Sequence, residues 1–293
     1  MNELLNPKRY ASFKRLELLA HSVVEGFKTG LHKSPYKGFA IEFEQHRPYV
    51  FGDDLKHLDW KLLAKSDRYY IKQYEEDTSL RAYLILDTSG SMGYTSQKHS
   101  KLDYGKYLLG VFSYLMLSQQ DSVGMVTCDT KIQNFMSPRS SAKHLRNMME
   151  VLNDISPGQD TGLANVLHAL AGKIKRRALI VIISDFFDDT ESLKKALNHF
   201  AHKKHEVILY QILDRKETEF PFNDLTQFES LEGDEIQMTD PVRIKKAYLE
   251  EFNKHKANLK KVCFNLRIDF QQLFTDDPFE RTVASYLAGR LKK

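Results

Sequence analysis

Ala82-Tyr83-Leu84-Ile85-Leu86-Asp87-Thr88-Ser89-Gly90-Ser91-Met92-Gly93 is the stretch that decides the fold. Its first five residues are a continuous apolar run of strand length. Such a run, without polar alternation, is expected where both faces of a parallel sheet are covered. The chain then turns abruptly polar, placing a carboxylate, hydroxyls and glycines at the carboxyl end of a central strand, where open α/β sheets bind their ligands. Asp87, Ser89 and Ser91 stand at alternate positions and are hard oxygen donors, so side chains from one turn can converge on a small cation. Mg²⁺ suits such a set, with Mn²⁺ as a substitute, because it takes octahedral oxygen ligation and keeps part of its water.

Working outward, residues 80–293 alternate strands and helices, which predicts an α/β domain with a doubly wound, mostly parallel, Rossmann-type sheet. A helix is expected from Lys101 to Ser118, apolar through Leu108, Val111, Phe112, Leu115 and Met116. Strands at 122–127 and 131–135 flank the tight Asp129-Thr130 turn, and helices follow at about 142–154 and 163–174. Ala178-Leu179-Ile180-Val181-Ile182-Ile183 is a second fully apolar strand, and it too runs into a polar end, Ser184-Asp185. A helix near 192–201, a strand at 207–213, an insertion with a hairpin at about 214–240 and a helix at 242–261 come next. Phe264 to Ile268 reads as a strand, and Pro278 to Leu291 as the last helix. Residues 1–79 form an N-terminal, β-containing extension. Within it are a helical pattern through Phe13, Leu16, Leu18, Leu19 and Val23, a Gly- and Pro-punctuated segment from Gly30 to Gly38, and strands at 39–44 and 69–74. Asp53 or Asp54 is expected to cap a short helix carrying Leu55, Leu58, Leu62 and Leu63, with Asp59 in a buried hydrogen bond to Trp60.

Two buried strands ending in Asp87 and Asp185 can lie side by side at a switch point. Between them Gly158-Gln159-Asp160-Thr161-Gly162-Leu163 opens a helix and offers a further hydroxyl. Asp87, Ser89, Ser91, Thr161 and Asp185 are therefore the candidate metal ligands. This pattern resembles the metal-ion-dependent adhesion site (MIDAS) of von Willebrand factor A domains. The resemblance extends to Arg47-Pro48-Tyr49-Val50-Phe51-Gly52-Asp53-Asp54, Asp59-Trp60, Glu75-Glu76 and Ile183-Ser184-Asp185-Phe186-Phe187-Asp188. With these it is similar to the uncharacterised bacterial family of von Willebrand factor A-like proteins found with MoxR-type AAA+ ATPases. One departure stands out: Gln159-Asp160-Thr161-Gly162 replaces the usual Gly-Gly-Thr-Asp, keeping the threonine but losing the acid after it. The resemblance implies that the serines and threonine ligate Mg²⁺ directly or through water, with the aspartates acting through water. It further implies a metal-dependent protein-binding module, an adaptor or assembly factor whose partner is a MoxR-type ATPase or its client, and no catalysis.

The rival readings are weaker on the residues. A Mg²⁺-dependent phosphohydrolase using Asp87 as nucleophile needs Asp-x-Asp, the second acid serving as general acid/base, and Ser89 occupies that place. His199, His202 and His205 at steps of three could suggest zinc, but no cysteine or acid completes a tetrahedron. Asp87 and the serines could also merely cap the following turn. A surplus of 43 basic over 39 acidic residues, net +4, is too small to argue for nucleic acid, and the basic Lys173-Ile174-Lys175-Arg176-Arg177 cluster sits at a helix C-terminus, where cations oppose the macrodipole. No apolar run approaches a membrane span, so a soluble form is expected where many relatives carry membrane segments. Cys128 and Cys263 lie in apolar runs as buried thiols, and a reducing cytoplasm is the expected address.

Overall fold

Strands whose residues lack polar alternation form the centre of the sheet, and strands with alternation or polar character lie at its edges. The computed structural model describes residues 42–50, 58, 60, 62–63, 69–75, 80–96, 99–158, 162–222, 226–229, 236–277 and 282. They fall into two compact units, one within residues 33–79 and one holding the chain from Leu80 onward. In the smaller unit β1 (Glu42–Pro48) pairs antiparallel with β2 (Tyr70–Glu75), from Glu42 opposite Glu75 to Pro48 opposite Tyr70. β1 lies a few residues beyond the expected strand. Trp60 is 63% exposed, so its expected burial does not hold, and Leu58 takes a buried place instead. The expected helix through Phe13 to Val23, the segment Gly30–Gly38, the acids Asp53, Asp54 and Asp59, and the terminal helix apart from helical Thr282 lie outside the described residues.

The larger unit is built on a six-stranded sheet of order β10-β7-β6-β3-β4-β5. Its elements are β3 (Arg81–Asp87), α1 (Lys101–Ser118), β4 (Ser122–Cys128), β5 (Ile132–Arg139), α2 (Ala142–Asp154), α3 (Leu163–Lys173), β6 (Leu179–Ser184), α4 (Thr190–His202), β7 (Glu206–Leu213), α5 (Arg215–Glu219), the hairpin β8 (Thr226–Glu229) and β9 (Ile236–Thr239), α6 (Pro241–Asn265) and β10 (Asp269–Phe274). All pairings in this sheet are parallel except β4 with β5. The expected doubly wound, mostly parallel architecture is thus present. β3, the strand read as central, has β6 on one side and β4 on the other, which is the topological switch point.

Alternate residues of the central strands feed two cores. Ala82, Leu84, Leu86, Val181 and Ile183 pack with α1 and α2, while Ile85, Ile180, Ile182 and Leu209 pack with α3, α4 and α6. A one-residue slip would exchange the two faces, so the register is tightly specified. α1 begins with a capping box: Ser100 Oγ accepts from the Asp103 amide at 3.0 Å, and Asp103 accepts from the Ser100 amide at 3.2 Å. Gly105 lets α1 approach the sheet, since a Cβ there would stand 2.7 Å from Leu86 Cδ1. None of the described helices is long and apolar enough to cross a membrane.

Two expectations give way near the end of the chain. The expected strand Phe264–Ile268 is instead the end of α6 and its exit, and the strand is Asp269–Phe274. Phe264, Leu266 and Ile268 alternate like a strand, yet Phe264 is 83% exposed because Val262 and Cys263 carry the buried face of the helix. Arg267, at φ 54°, closes the helix in the left-handed region, and Ile268 N–H returns to Cys263 O at 2.9 Å. β10 escaped notice because Asp269, Gln271 and Gln272 lack the apolar signature, as suits an edge strand. The short helix α5 inside the expected insertion was also not foreseen.

Two tests follow from the packing. A methyl group at Gly124 would meet Met136 O at 2.5 Å and Pro138 at 2.9 Å, a backbone wall with no rotamer to yield. Gly124→Ala is expected to lower unfolding free energy by about 1–3 kcal/mol in urea titrations. The second concerns His205, whose Nδ1 accepts from the Ala178 amide at 3.2 Å. Burial, and then the Lys203 charge, push its pKa below the ordinary 6.5. The unfolded chain therefore takes up a proton that the native imidazole refuses, so this contribution is complete above about pH 6.5 and shrinks as pH falls through it. Urea titrations between about pH 7.5 and 5 should show a shallower acid loss for His205→Asn than for the natural chain.

Candidate functional site

The register places Leu86 opposite Ile183, so the polar ends of β3 and β6 emerge together on one rim. Asp87 and Asp185, each 1% exposed, lie close enough that the charge of Asp185 acts on Asp87. Asp87 Oδ1 accepts from the Ser89 amide at 2.9 Å, and Oδ2 accepts from Ser184 Oγ at 2.6 Å. Ser89 Oγ and Ser91 Oγ stand 3.1 Å apart. The turn carrying them, Gly90–Gly93, is a single 3₁₀ turn pinned by the fully buried Met92. A third loop closes on the same rim. Gly158 N–H donates to Thr88 O at 2.6 Å, and Pro157 lies 3.0 Å from where a Cβ of Gly93 would be.

Four of the five sequence-derived candidates, Asp87, Ser89, Ser91 and Asp185, are therefore brought together. Thr161 lies outside the described residues, as does Asp160, while Gly158 and Gly162 on either side are held against Thr88 and Thr130. Beside Thr88 a cavity of about 450 Å³ opens, lined among others by Thr127, Asp129, Asn134, Asp154 and Gly158. The histidines considered for zinc do not converge: His199 packs its ring 4.3 Å from that of His168, and His205 is engaged by Ala178. Among the described residues no group of three or more His, Cys, Asp or Glu is disposed to hold a metal. The rim offers a different set, two carboxylates and two hydroxyls, all hard oxygen.

Electrostatics set this rim apart from ordinary turn capping. Burial first, and then the neighbouring Asp185 charge, push Asp87 up to about 7 against the hydrogen bonds from Ser184 and Ser89. Asp185 Oδ2 accepts from Lys101 Nζ at 2.7 Å, and its Oδ1 from the Phe187 amide at 3.3 Å. Lys101 Nζ also reaches Glu217 Oε1 at 2.7 Å, with the Lys101 side chain 0% and that of Glu217 13% exposed. Burial disfavours the ammonium, but Asp185 and Glu217 outweigh it and hold its pKa above the ordinary value. Glu217 itself is raised by burial against the pull of Lys101. When all are ionised, the Lys101 ammonium is shared by Asp185 and Glu217 while Asp87 beside Asp185 has donors but no cation, an excess of negative charge that a divalent cation would balance. The donor chemistry and the charge both fit such an ion.

Ser184, Lys101 and Glu217 were not singled out from sequence. Ser184 Oγ bonds Asp87 and also accepts from the Phe186 amide at 2.8 Å, fixing the tight exit of β6 where Phe186 sits at φ 60°. A lysine in the first position of a helix lies at the positive end of the macrodipole, an unfavourable place that only its partners here offset. Its partners come from sequence positions 84 and 116 residues away, and the pairing itself is tertiary.

Comparison with known proteins agrees with this geometry at the level of fold. The chain is 22% identical over 289 residues to the uncharacterized protein Rv1480 of Mycobacterium tuberculosis, covering 97% of this chain and 90% of that protein. The conserved hypothetical protein BatB from Bacteroides thetaiotaomicron, a solved structure, is similar with a TM-score of 0.50 at 15% identity, covering 73% of this chain and 100% of that one. The SpRpn10 VWA domain is similar with a TM-score of 0.38 at 11% identity, covering 72% of this chain and 95% of that domain. Residues 45–258 match the family described as "Protein of unknown function DUF58", and the chain belongs to that family.

Proposed function

We propose that this protein is a metal-dependent protein-binding module and not a catalyst, acting through the rim of Asp87, Ser89, Ser91 and Asp185, with Thr161 as the fifth ligand. The observation that carries the reading is the contrast between carboxylates and hydroxyls. Every carboxylate oxygen of Asp87 and Asp185 is engaged by a donor of the chain itself, whereas the Ser89 hydroxyl, which also bonds Asp87, and the Ser91 hydroxyl 3.1 Å from it are neutral groups with lone pairs left over. The aspartates thus supply charge, and the hydroxyls supply lone pairs. A bound Mg²⁺ or Mn²⁺ would offer an open coordination position to an acidic side chain of another protein.

The chain's own contribution is to hold that geometry. Ser184 and the Ser89 amide orient Asp87, Met92 anchors the serine turn, and the polar cavity beside Thr88 leaves room for a partner's chain. The partner is proposed to be a MoxR-type ATPase or its client. That part rests on the sequence resemblance and on fold-level analogy. A cytoplasmic location goes with it.

Calorimetry with Mg²⁺ and Mn²⁺ tests the metal. Ser89→Ala is expected to weaken binding at least about tenfold while the circular dichroism stays native. Unchanged affinity would remove Ser89 from the site. For the partner, a titration with the purified ATPase should lose its signal on adding chelator and in Asp87→Ala. Binding that survives both changes would overturn metal-dependent capture.

A further inference from the structure

Lys101 is a fully buried cation at a place where a helix disfavours one. It is the first residue of α1, directly after the Ser100 cap, and its backbone amide donates to Tyr94 O at 3.1 Å. The ammonium lies 5.1 Å from the ring centre of Phe187 and 5.8 Å from that of Tyr94. Two aromatic walls and two carboxylates therefore replace its water, and removing either anion would leave an uncompensated buried charge. The anions differ in position. Asp185 belongs to the rim, whereas Glu217 lies behind it, with its other oxygen Oε2 accepting from the Asp214 amide at 2.8 Å in the cap of α5. Asp214 in turn receives Ser96 N–H at 3.1 Å and Ser96 O–H at 2.5 Å, which ties the segment before α1 to α5. The Lys101 side chain is thus held at its ammonium by two carboxylates and is 0% exposed.

We infer that Lys101 is a built-in counter-cation that holds the Asp185 carboxylate in place on the rim and sets how tightly the rim takes a divalent ion. This rests on the metal-binding reading above and adds the residue that tunes it. A fixed ammonium bonded to Asp185 Oδ2 occupies one of the two oxygens through which that carboxylate could ligate a metal directly. Its charge also opposes the incoming cation across a poorly screened interior, whereas Glu217 favours it. Lys101 is thus a positioning residue, and it and Glu217 act on metal affinity in opposite directions although they form one ion pair.

That opposition separates tuning from mere structural support, since a purely structural pair would weaken the site when either member is lost. The test is Mn²⁺ binding by the full chain, followed by the electron paramagnetic resonance of free Mn²⁺, for the natural chain, Lys101→Met, Lys101→Arg and Glu217→Gln. Lys101→Met should bind at least about tenfold more tightly, Lys101→Arg should stay near the natural affinity, and Glu217→Gln should bind several-fold more weakly. A folded Lys101→Met with equal or weaker affinity overturns the inference and leaves the metal site standing. A silent natural chain with a binding Lys101→Met supports the inference and overturns metal-dependent capture by the natural protein. Silence in all four overturns both. If Lys101→Met does not fold, Lys101→Gln takes its place: tighter binding than the natural chain supports the inference, and equal or weaker binding overturns it.

Discussion

Two buried carboxylates that the sheet forces together are the constraint on which the rest of this structure turns. β3 and β6 are hydrogen-bonded neighbours running the same way with Leu86 opposite Ile183, so Asp87, one residue past Leu86, and Asp185, two residues past Ile183, emerge on the same rim. Both are almost fully enclosed. Burial, and then the like charge of Asp185 close by, push Asp87 up to about 7. Nearly every unusual feature nearby answers that conflict. Ser184 and the Ser89 amide donate to Asp87, the Phe187 amide and Lys101 donate to Asp185, and Phe186 accepts a left-handed backbone so that its own amide can reach Ser184.

The hydrophobic architecture makes the conflict unavoidable. Alternate residues of β3 are committed to two different cores, so the strand cannot shift to separate the aspartates without exposing Leu84 or Ile85. Met92 anchors the serine turn from below, and Gly105 brings the first turns of α1 against Leu86, which carries Lys101 to the back of the rim. Burial of apolar side chains thus fixes the positions of groups that, left in water, would stand apart. The electrostatic strain at the rim is sustained by the cores on either side.

Much of this was legible in the residues. The continuous apolar runs before Asp87 and Asp185 marked central parallel strands, and their polar ends marked the rim, because period and abrupt composition change are local signals. β10 was not legible, since an edge strand of Asp269, Gln271 and Gln272 looks like a loop, and Phe264-Leu266-Ile268 imitated a strand while ending a helix. Trp60 was expected to be buried in a hydrogen bond and lies outside, a matter of which neighbours cover it. At the rim the aspartates and serines could be named from spacing alone. Ser184, Lys101 and Glu217 could not, because their meaning lies in partners from distant parts of the chain.

The same arrangement bears on whether such a rim would bind or react. A carboxylate acting as nucleophile must present an oxygen to its target, and a second acid or base must stand within reach of the leaving group. Both oxygens of Asp87 are already turned to donors of the chain, the position two residues on is a hydroxyl rather than a carboxylate, and Lys101 is sealed behind aromatic rings. Beside that negative charge stand two neutral hydroxyls, Ser89 Oγ and Ser91 Oγ, 3.1 Å apart. On the proposed reading, a cation held there would keep most of its positive field on the outer side, because its nearest ligands would carry no charge to offset it. That field would favour capture of an anionic side chain over proton transfer, and Lys101 and Glu217 would set its strength.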